Sequence, residues 1–177
     1  MQELREIHEQ LSCADVETYL QSGNVVFRAA NPKLEELASQ IEGAIHDRLS
    51  FRPAVILRTA ADLRRIVERN PFAEEPGISP NRLLVYFLAG EVRGQILAQA
   101  GKSFRGPEVI RPGNRELYIY FPDGMGRSKL SLGAIEKLLG TSGTGRNWNT
   151  VVKLLEAAEK LERSHCAAER EIAQKKR

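Results

Sequence analysis

The sequence predicts an α+β protein built from two halves of matching element order. Three observations lead there. Apolar patterns of helical period alternate with short β-rich runs along the chain. Residues 2–49 and 91–139 both read as helix, hairpin, helix. Between them, NPFAEEPGISPN at 70–81 holds three prolines and a glycine and reads as a linker.

Leu4, Ile7, His8 and Leu11 recur at helical spacing, so the chain opens inside a helix. VETYL and NVVFRA, separated by QSG, read as a hairpin or a bulged strand. Asn31 and Pro32 suit the N-cap and first position of a second helix, since proline lacks an N–H that would have no partner there. Leu34, Leu37, Ile41, Ala44, Ile45 and Leu49 give that helix an apolar face. PAVILRT at 53–59 reads as a strand, followed by a short helix through Leu63, Ile66 and Val67. RLLVYFLAG is a buried strand, with a helix after it around Ile96 and Leu97. PEVIRPG and ELYIYF flank a Pro-Gly-Asn turn and make a second hairpin. In SKLSLGAIEKLLG, Ser131 is the expected N-cap, Leu130 with Ile135 the hydrophobic staple, and Gly140 the stop. A last helix covers about 147–163 and extends toward the C-terminal tail.

A β-α-β-β-α order is the ferredoxin-like plan, with helices covering one face of an antiparallel sheet. The second half has its leading strand at 83–88, and the first half lacks one, which leaves a sheet edge unpaired and part of a core uncovered. The expected division is 1–69, linker 70–81, 82–162 and a basic tail at 163–177.

The net charge of +3 is concentrated. Arg163, Arg170, Lys175, Lys176 and Arg177 exceed Glu169 and Glu171 in the tail by that amount, so residues 1–162 are electrically balanced. A phosphate-neutralising surface across the folded part is therefore not expected. No apolar run approaches the ~20 residues of a membrane span, and MQELREIHEQL has no signal-peptide core, so a cytoplasmic location without membrane contact is expected. Cys13 and Cys166 lie far apart without metal-type spacing, and His8, His46 and His165 show none either, so no metal site is expected.

Four segments, YLQSGNVVF at 19–27, NPF at 70–72, YFPDGMGRSKL at 120–130 and TGRNWNTVVKL at 144–154, occur in an order that resembles the bacterial domain-of-unknown-function family 1697. The resemblance spans about 1–160. It implies an α+β fold with ferredoxin-like halves and supplies no activity, cofactor or catalytic residue. Members of that family usually open with an apolar strand and a glycine-rich turn ahead of the helix at which this chain begins. The expectation is an additional N-terminal strand in the complete protein, the same one the internal comparison finds missing.

Three polar segments are candidate binding elements. GTSGTGRN at 140–147 is a near miss to a P-loop, with Arg146 in place of lysine and Asn147 in place of the magnesium-binding hydroxyl. It reads as a helix-to-helix junction. Asn147 would cap the following helix, while Trp148, Val151, Val152 and Leu155 fill the core. Arg146 and the helix start would together suit an anion, with Asn149 and Thr150 directing it. PDGMGRSKLS at 122–131 places Arg127, Ser128 and Lys129 just before another helix, again suited to phosphate or carboxylate. Gln21, Ser22 and Asn24 form a polar turn in the first hairpin, which a bulge also explains. Asp123 is the one candidate for general acid or base work. The residues thus suggest a small anionic ligand, such as a nucleotide or phosphorylated metabolite. The alternatives are a nucleic-acid module stacking bases on Tyr118 and Tyr120, or a protein-interaction domain using a sheet edge and the tail. No cofactor or reaction follows from the residues, nor does an oligomeric state.

Overall fold

A computed structural model describes residues 1–19, 23–30, 33–92, 95–96 and 106–175, with side chains to residue 166. Its elements are α1 (Gln2–Gln10), β1 (Ala14–Tyr19), β2 (Asn24–Arg28), α2 (Leu34–Leu49), α3 (Ala60–Glu68) and β3 (Leu83–Leu88). There follow β4 (Val109–Pro112), β5 (Glu116–Tyr120), α4 (Leu132–Leu139), β6 (Gly143–Asn147) and α5 (Trp148–Lys175). The protein is α+β with antiparallel sheets, as the sequence predicts. Among the described residues no helix is long and apolar enough to cross a membrane.

The chain forms two compact units, Met1–Ala61 with Lys153–Arg177, and Asp62–Val152. Residues 70–81 lie inside the second unit, where Phe72 is buried.

In the first unit β1 and β2 form an antiparallel hairpin pairing Tyr19 with Asn24 and Ala14 with Arg28. A register shift between Ala14 and Glu17 marks a bulge, and Asp15 sits there at φ 52°. The core joins Ile7, Cys13 and Val16 to Leu37, Ile41 and Ile45 of α2, three positions of the predicted apolar face. Val25, Phe27, Val55 and Leu57 pack against it half-buried. Asn31 and Pro32 lie outside the described residues, and α2 begins at Leu34. Arg28 donates from Nε to Asp15 at 2.5 Å, and its Nη1 lies 2.8 Å from His165 Nδ1, which fastens α5 to the hairpin.

Two expectations need correction. Residues 53–59 are not a strand, despite their β-rich composition. A strand needs a neighbour, and β1–β2 is a sheet of two that does not include them; the Val55 N–H instead donates to Glu42 Oε1 at 2.9 Å. The glycine-rich stretch before α5 is likewise not a plain helix-to-helix junction, because residues 143–147 form β6. A free edge of β3 takes up their backbone groups, which outweighs the poor strand propensity of glycine.

The second unit holds a sheet of order β4-β5-β3-β6, antiparallel throughout. All six residues of β3 are buried. Leu84, Tyr86 and Leu88 join Leu117, Ile119 and Phe121 under Ile135 and Leu139 of α4. Val85 and Tyr118 point the other way, toward residues 62–77: Tyr118 donates its hydroxyl to Ile66 O at 2.8 Å, and the Phe72 ring lies 6.0 Å from that of Tyr120, tilted by 40°. Arg111 lies 4.2 Å over the Phe72 ring, donates to Pro71 O at 2.6 Å and pairs with Glu75, which locks the NPF segment onto the sheet. The predicted ends of α4 hold: Ser131 Oγ accepts from Ala134 N at 3.2 Å, and Gly140 closes the helix at φ 67°.

His8 supplies a pH test of the first unit. It is buried, its Nδ1 is 2.7 Å from Leu4 O, and its ring lies 5.0 Å from Phe27. Burial pushes its pKa below the usual histidine value, only partly opposed by the Leu4 carbonyl. The unfolded chain therefore takes up a proton near pH ~6.5 that the folded chain refuses until lower pH. This contribution to stability is complete above pH ~6.5 and is lost as pH falls through the folded value. Denaturant titrations from pH 7 to 5 should show a steeper loss for the wild type than for His8→Leu. Parallel curves would exclude His8 as the cause.

Candidate functional site

β5, β3 and β6 bring two of the three candidate segments to one end of the second sheet. Tyr120, at the end of β5, pairs with Leu83, and Asn147, at the end of β6, pairs with Leu84. The loop after β5 and the start of α5 therefore leave the sheet where β3 begins, one on each side of it. Phe121 N donates to Arg82 O at 2.9 Å, and Arg82 donates its guanidinium to Pro122 O. On the other side Asn147 Nδ2 donates to Asn81 O at 2.9 Å.

The β5–α4 loop walls a cleft of about 430 Å3. Gly106, Pro107 and Glu108 form one side; Phe121–Gly124, Arg127–Ser131 and Ala134 form the rest. The loop is held by its own backbone: Gly124 N donates to Phe121 O at 3.0 Å, Arg127 N to Gly124 O at 3.2 Å, and Ser128 N to Met125 O at 3.2 Å. Gly124 takes φ 85°, a conformation side-chain-bearing residues rarely adopt. Ser128 Oγ donates to Glu108 and accepts from Leu130 N at 3.0 Å, so it joins the two sides of the cleft. Arg127 and Lys129 bring two positive charges to the lining, and Glu108 and Asp123 bring two negative ones. Phe121, Pro107, Pro122, Leu130 and Ala134 supply apolar wall.

The residues of the β6–α5 segment are not among those lining this cleft. Arg146 is half-buried and donates from Nη1 to Thr144 Oγ1 at 2.6 Å and Gly145 O at 2.8 Å. Burial lowers its pKa. Asn147 caps α5 as expected, its Oδ1 accepting from Asn149 N at 3.0 Å. Asn149 is exposed and Thr150 half-buried on the first turn of that helix. The glycines have a packing reason. A Cβ at Gly143 would come within 2.4 Å of the Tyr86 ring and 2.8 Å of Phe87 O, and one at Gly145 within 3.0 Å of Leu84. Tyr86 crosses β6 at this point to donate its hydroxyl to Glu136 Oε1 at 2.9 Å, and Gly143 N donates to the same oxygen at 2.8 Å. Burial first, then the Glu136 carboxylate, raises the Tyr86 pKa, so the phenol stays protonated.

In the third segment Gln21 and Ser22 lie outside the described residues. Asn24 belongs to the first unit, is buried, and closes the hairpin by donating to Tyr19 O at 3.3 Å. Cys13 is buried as well, and burial raises its thiol pKa. Tyr118 is 1% exposed and hydrogen-bonded, so it offers no stacking platform. Reading the sequence misses Glu108, which meets Ser128 across twenty residues of chain and carries no local signal.

A family model described as protein of unknown function DUF1697 matches residues 1–118, and the chain belongs to that family. The matched part contains the 19–27 and 70–72 segments but ends inside β5, before the cleft loop. A solved structure, that of conserved bacterial protein SP0830 from Streptococcus pneumoniae, is similar to this chain at TM-score 0.65 and 21% identity, over 90% of this chain and 88% of that one. That similarity concerns the fold. No curated protein matches the chain.

Gly143→Ala tests the packing account of the glycine-rich stretch. The new methyl meets a ring and a backbone oxygen that cannot both yield, so a loss of about 1–3 kcal/mol is expected by denaturant titration. A loss of under about 0.5 kcal/mol would mean that the close approach is not limiting.

Proposed function

We propose that the second unit binds a small ligand carrying an anionic group, such as a nucleotide or phosphorylated metabolite, in the cleft beside the β5–α4 loop. The observation that carries this reading is the pairing of Arg127 and Lys129 on the lining of one cleft of about 430 Å3. That volume falls in the usual small-molecule range of roughly 300–1,000 Å3. Arg127 offers a planar fork and Lys129 a point charge, the two common cationic ways of holding phosphate or carboxylate. Ser128 fixes the wall between them through Glu108. Phe121, Pro122 and Leu130 would take an apolar or planar part of the ligand. Glu108 and Asp123 would accept from hydroxyl or amino groups and disfavour a long polyanion, so nucleic acid is the weaker reading. Asn147 is given a structural role, while Arg146, Asn149 and Thr150 remain candidates for a second contact at the same sheet end. The strand order β4-β5-β3-β6 supports reading the unit as ferredoxin-like.

Thermal-shift measurements with inorganic phosphate, nucleoside monophosphates and sugar phosphates at millimolar concentration test the proposal. Ligand at ten times Kd should add about 1.4 kcal/mol of stability. Arg127→Ala should weaken binding about 10- to 100-fold, as loss of a charged hydrogen-bond donor costs about 1.5–3 kcal/mol. Lys129→Ala should act in the same direction, and Arg5→Ala on α1 should change nothing. A flat screen, or equal shifts in wild type and Arg127→Ala, would overturn the assignment.

A further inference from the structure

A serine hydroxyl has one proton to give and two lone pairs to share. Ser128 Oγ gives its proton to Glu108 Oε1 and accepts from Leu130 N at 3.0 Å. These two bonds use the proton and one lone pair; the second lone pair is the one a nucleophile needs. The proton acceptor is a carboxylate rather than a carbonyl, so it can take the proton as well as hold it. Its place is constrained from the other side too. Glu108 Oε2 fills the space in which a Cβ on Gly106 would lie, so only glycine at that position leaves the carboxylate where it is. Ser128 and Glu108 both line the cleft, and so do Arg127 and Lys129, the neighbours of Ser128 in the chain. One cleft thus combines a hydroxyl nucleophile, a base bonded to it and two cations for negative charge.

We propose that the cleft cleaves compact phosphate monoesters, with Ser128 attacking phosphorus, Glu108 as its base, and Arg127 and Lys129 neutralising the phosphoryl oxygens. The proposal rests on the anion-binding reading of the cleft and gives it a reaction. The bond from Ser128 Oγ to phosphorus forms as the P–O bond to the substrate alcohol breaks. The hydroxyl proton passes to Glu108 and from there to the departing alcohol oxygen. Water then attacks the phosphoserine and gives one proton to Glu108, and Ser128 Oγ leaves phosphorus and takes that proton back. The sum is ester and water to alcohol and inorganic phosphate.

These groups suit phosphoryl transfer better than acyl transfer. A carboxylate is a weak base for a serine hydroxyl, and acyl transfer would ask much of it. Phosphoryl transfer through a loose transition state asks for positioning and for cations on the phosphoryl oxygens, and a carboxylate suffices to accept the hydroxyl proton. Phe121, Pro122 and Leu130 would take the alcohol part of the substrate.

The probe is p-nitrophenyl phosphate, whose ring suits that apolar wall and whose phenolate reports cleavage. The wild type should release nitrophenolate, and protein quenched in acid during turnover should carry one phosphoryl group, located at Ser128 by fragmentation mass spectrometry. Ser128→Ala should lose the label and about 100-fold or more in rate, while keeping the thermal shift with inorganic phosphate. Glu108→Gln should lower kcat by about 100-fold with little change in KM. Gly106→Ala should act in the same direction without loss of the fold, because only the end of a flexible side chain stands where the new methyl goes, and the carboxylate must move. A thermal shift with phosphate but no nitrophenolate release, or release without a label on Ser128, would refute the reaction and leave ligand binding standing. Release undiminished in Ser128→Ala would have the same meaning. No shift and no release would remove both.

Discussion

A strand that is buried on both faces and paired on both edges has nowhere to place a polar side chain or an unmade hydrogen bond. β3 meets that constraint with Leu83–Leu88, six apolar or aromatic residues in succession. Its one polar atom on a side chain is the Tyr86 hydroxyl, which reaches over β6 to the Glu136 carboxylate. Much of the second unit is arranged around that reach. β6 carries glycine where the tyrosine ring crosses, and Glu136 accepts from both the ring hydroxyl and the β6 backbone, so α4, β3 and β6 are fixed by one carboxylate oxygen. Burying each large apolar side chain contributes about 1.5–3 kcal/mol, and the run concentrates six of them in one element.

The same constraint governs where a binding site can form. In the second unit α4 packs on one face of the sheet and residues 62–77 on the other, and the cleft lies at the strand ends. β3 starts at the end where β5 and β6 finish, so Arg127 follows in the loop after β5 on one side of it, while Arg146 sits within β6 on the other. The two segments then take different roles. The loop after β5 folds back on its own carbonyls and opens a cleft, whereas the chain after β6 enters α5 at once through the Asn147 cap. Asn147 serves that cap with its oxygen and the Asn81 carbonyl with its nitrogen.

How far the sequence discloses this depends on whether a feature is local. The apolar face of α2, the Ser131 cap and the Gly140 stop are set by residues within one or two turns, and all are legible. The two hairpins are legible for the same reason. Strand pairing is not local, and both misreadings arise there. PAVILRT has strand-forming residues but joins neither sheet among the described residues, so composition overstates it; GTGRN has two glycines, so composition conceals a strand that the free edge of β3 imposes. The candidate site divides in the same way. Arg127, Ser128 and Lys129 are adjacent and stand out, whereas Glu108 meets Ser128 only because β4 and the β5–α4 loop are folded together.

If the cleft takes an anion as proposed, its charge pattern narrows the kind that would fit. Residues 1–162 are neutral in sum, and the cleft repeats that balance in miniature, with Arg127 and Lys129 against Glu108 and Asp123. A polyanion gains most from a surface of one sign, because each phosphate it brings must release its counterions to a cation. In a mixed cleft the second and third phosphates would approach carboxylates and lose what the first gained. A compact ligand escapes this penalty if its single anionic group lies at Arg127 and Lys129 while hydroxyl or amino groups face Glu108 and Asp123. Both charge signs then contribute, and the apolar wall of Phe121, Pro122 and Leu130 strengthens them by excluding water. On the proposed function, the same four charged residues would favour a ligand of small size and mixed polarity.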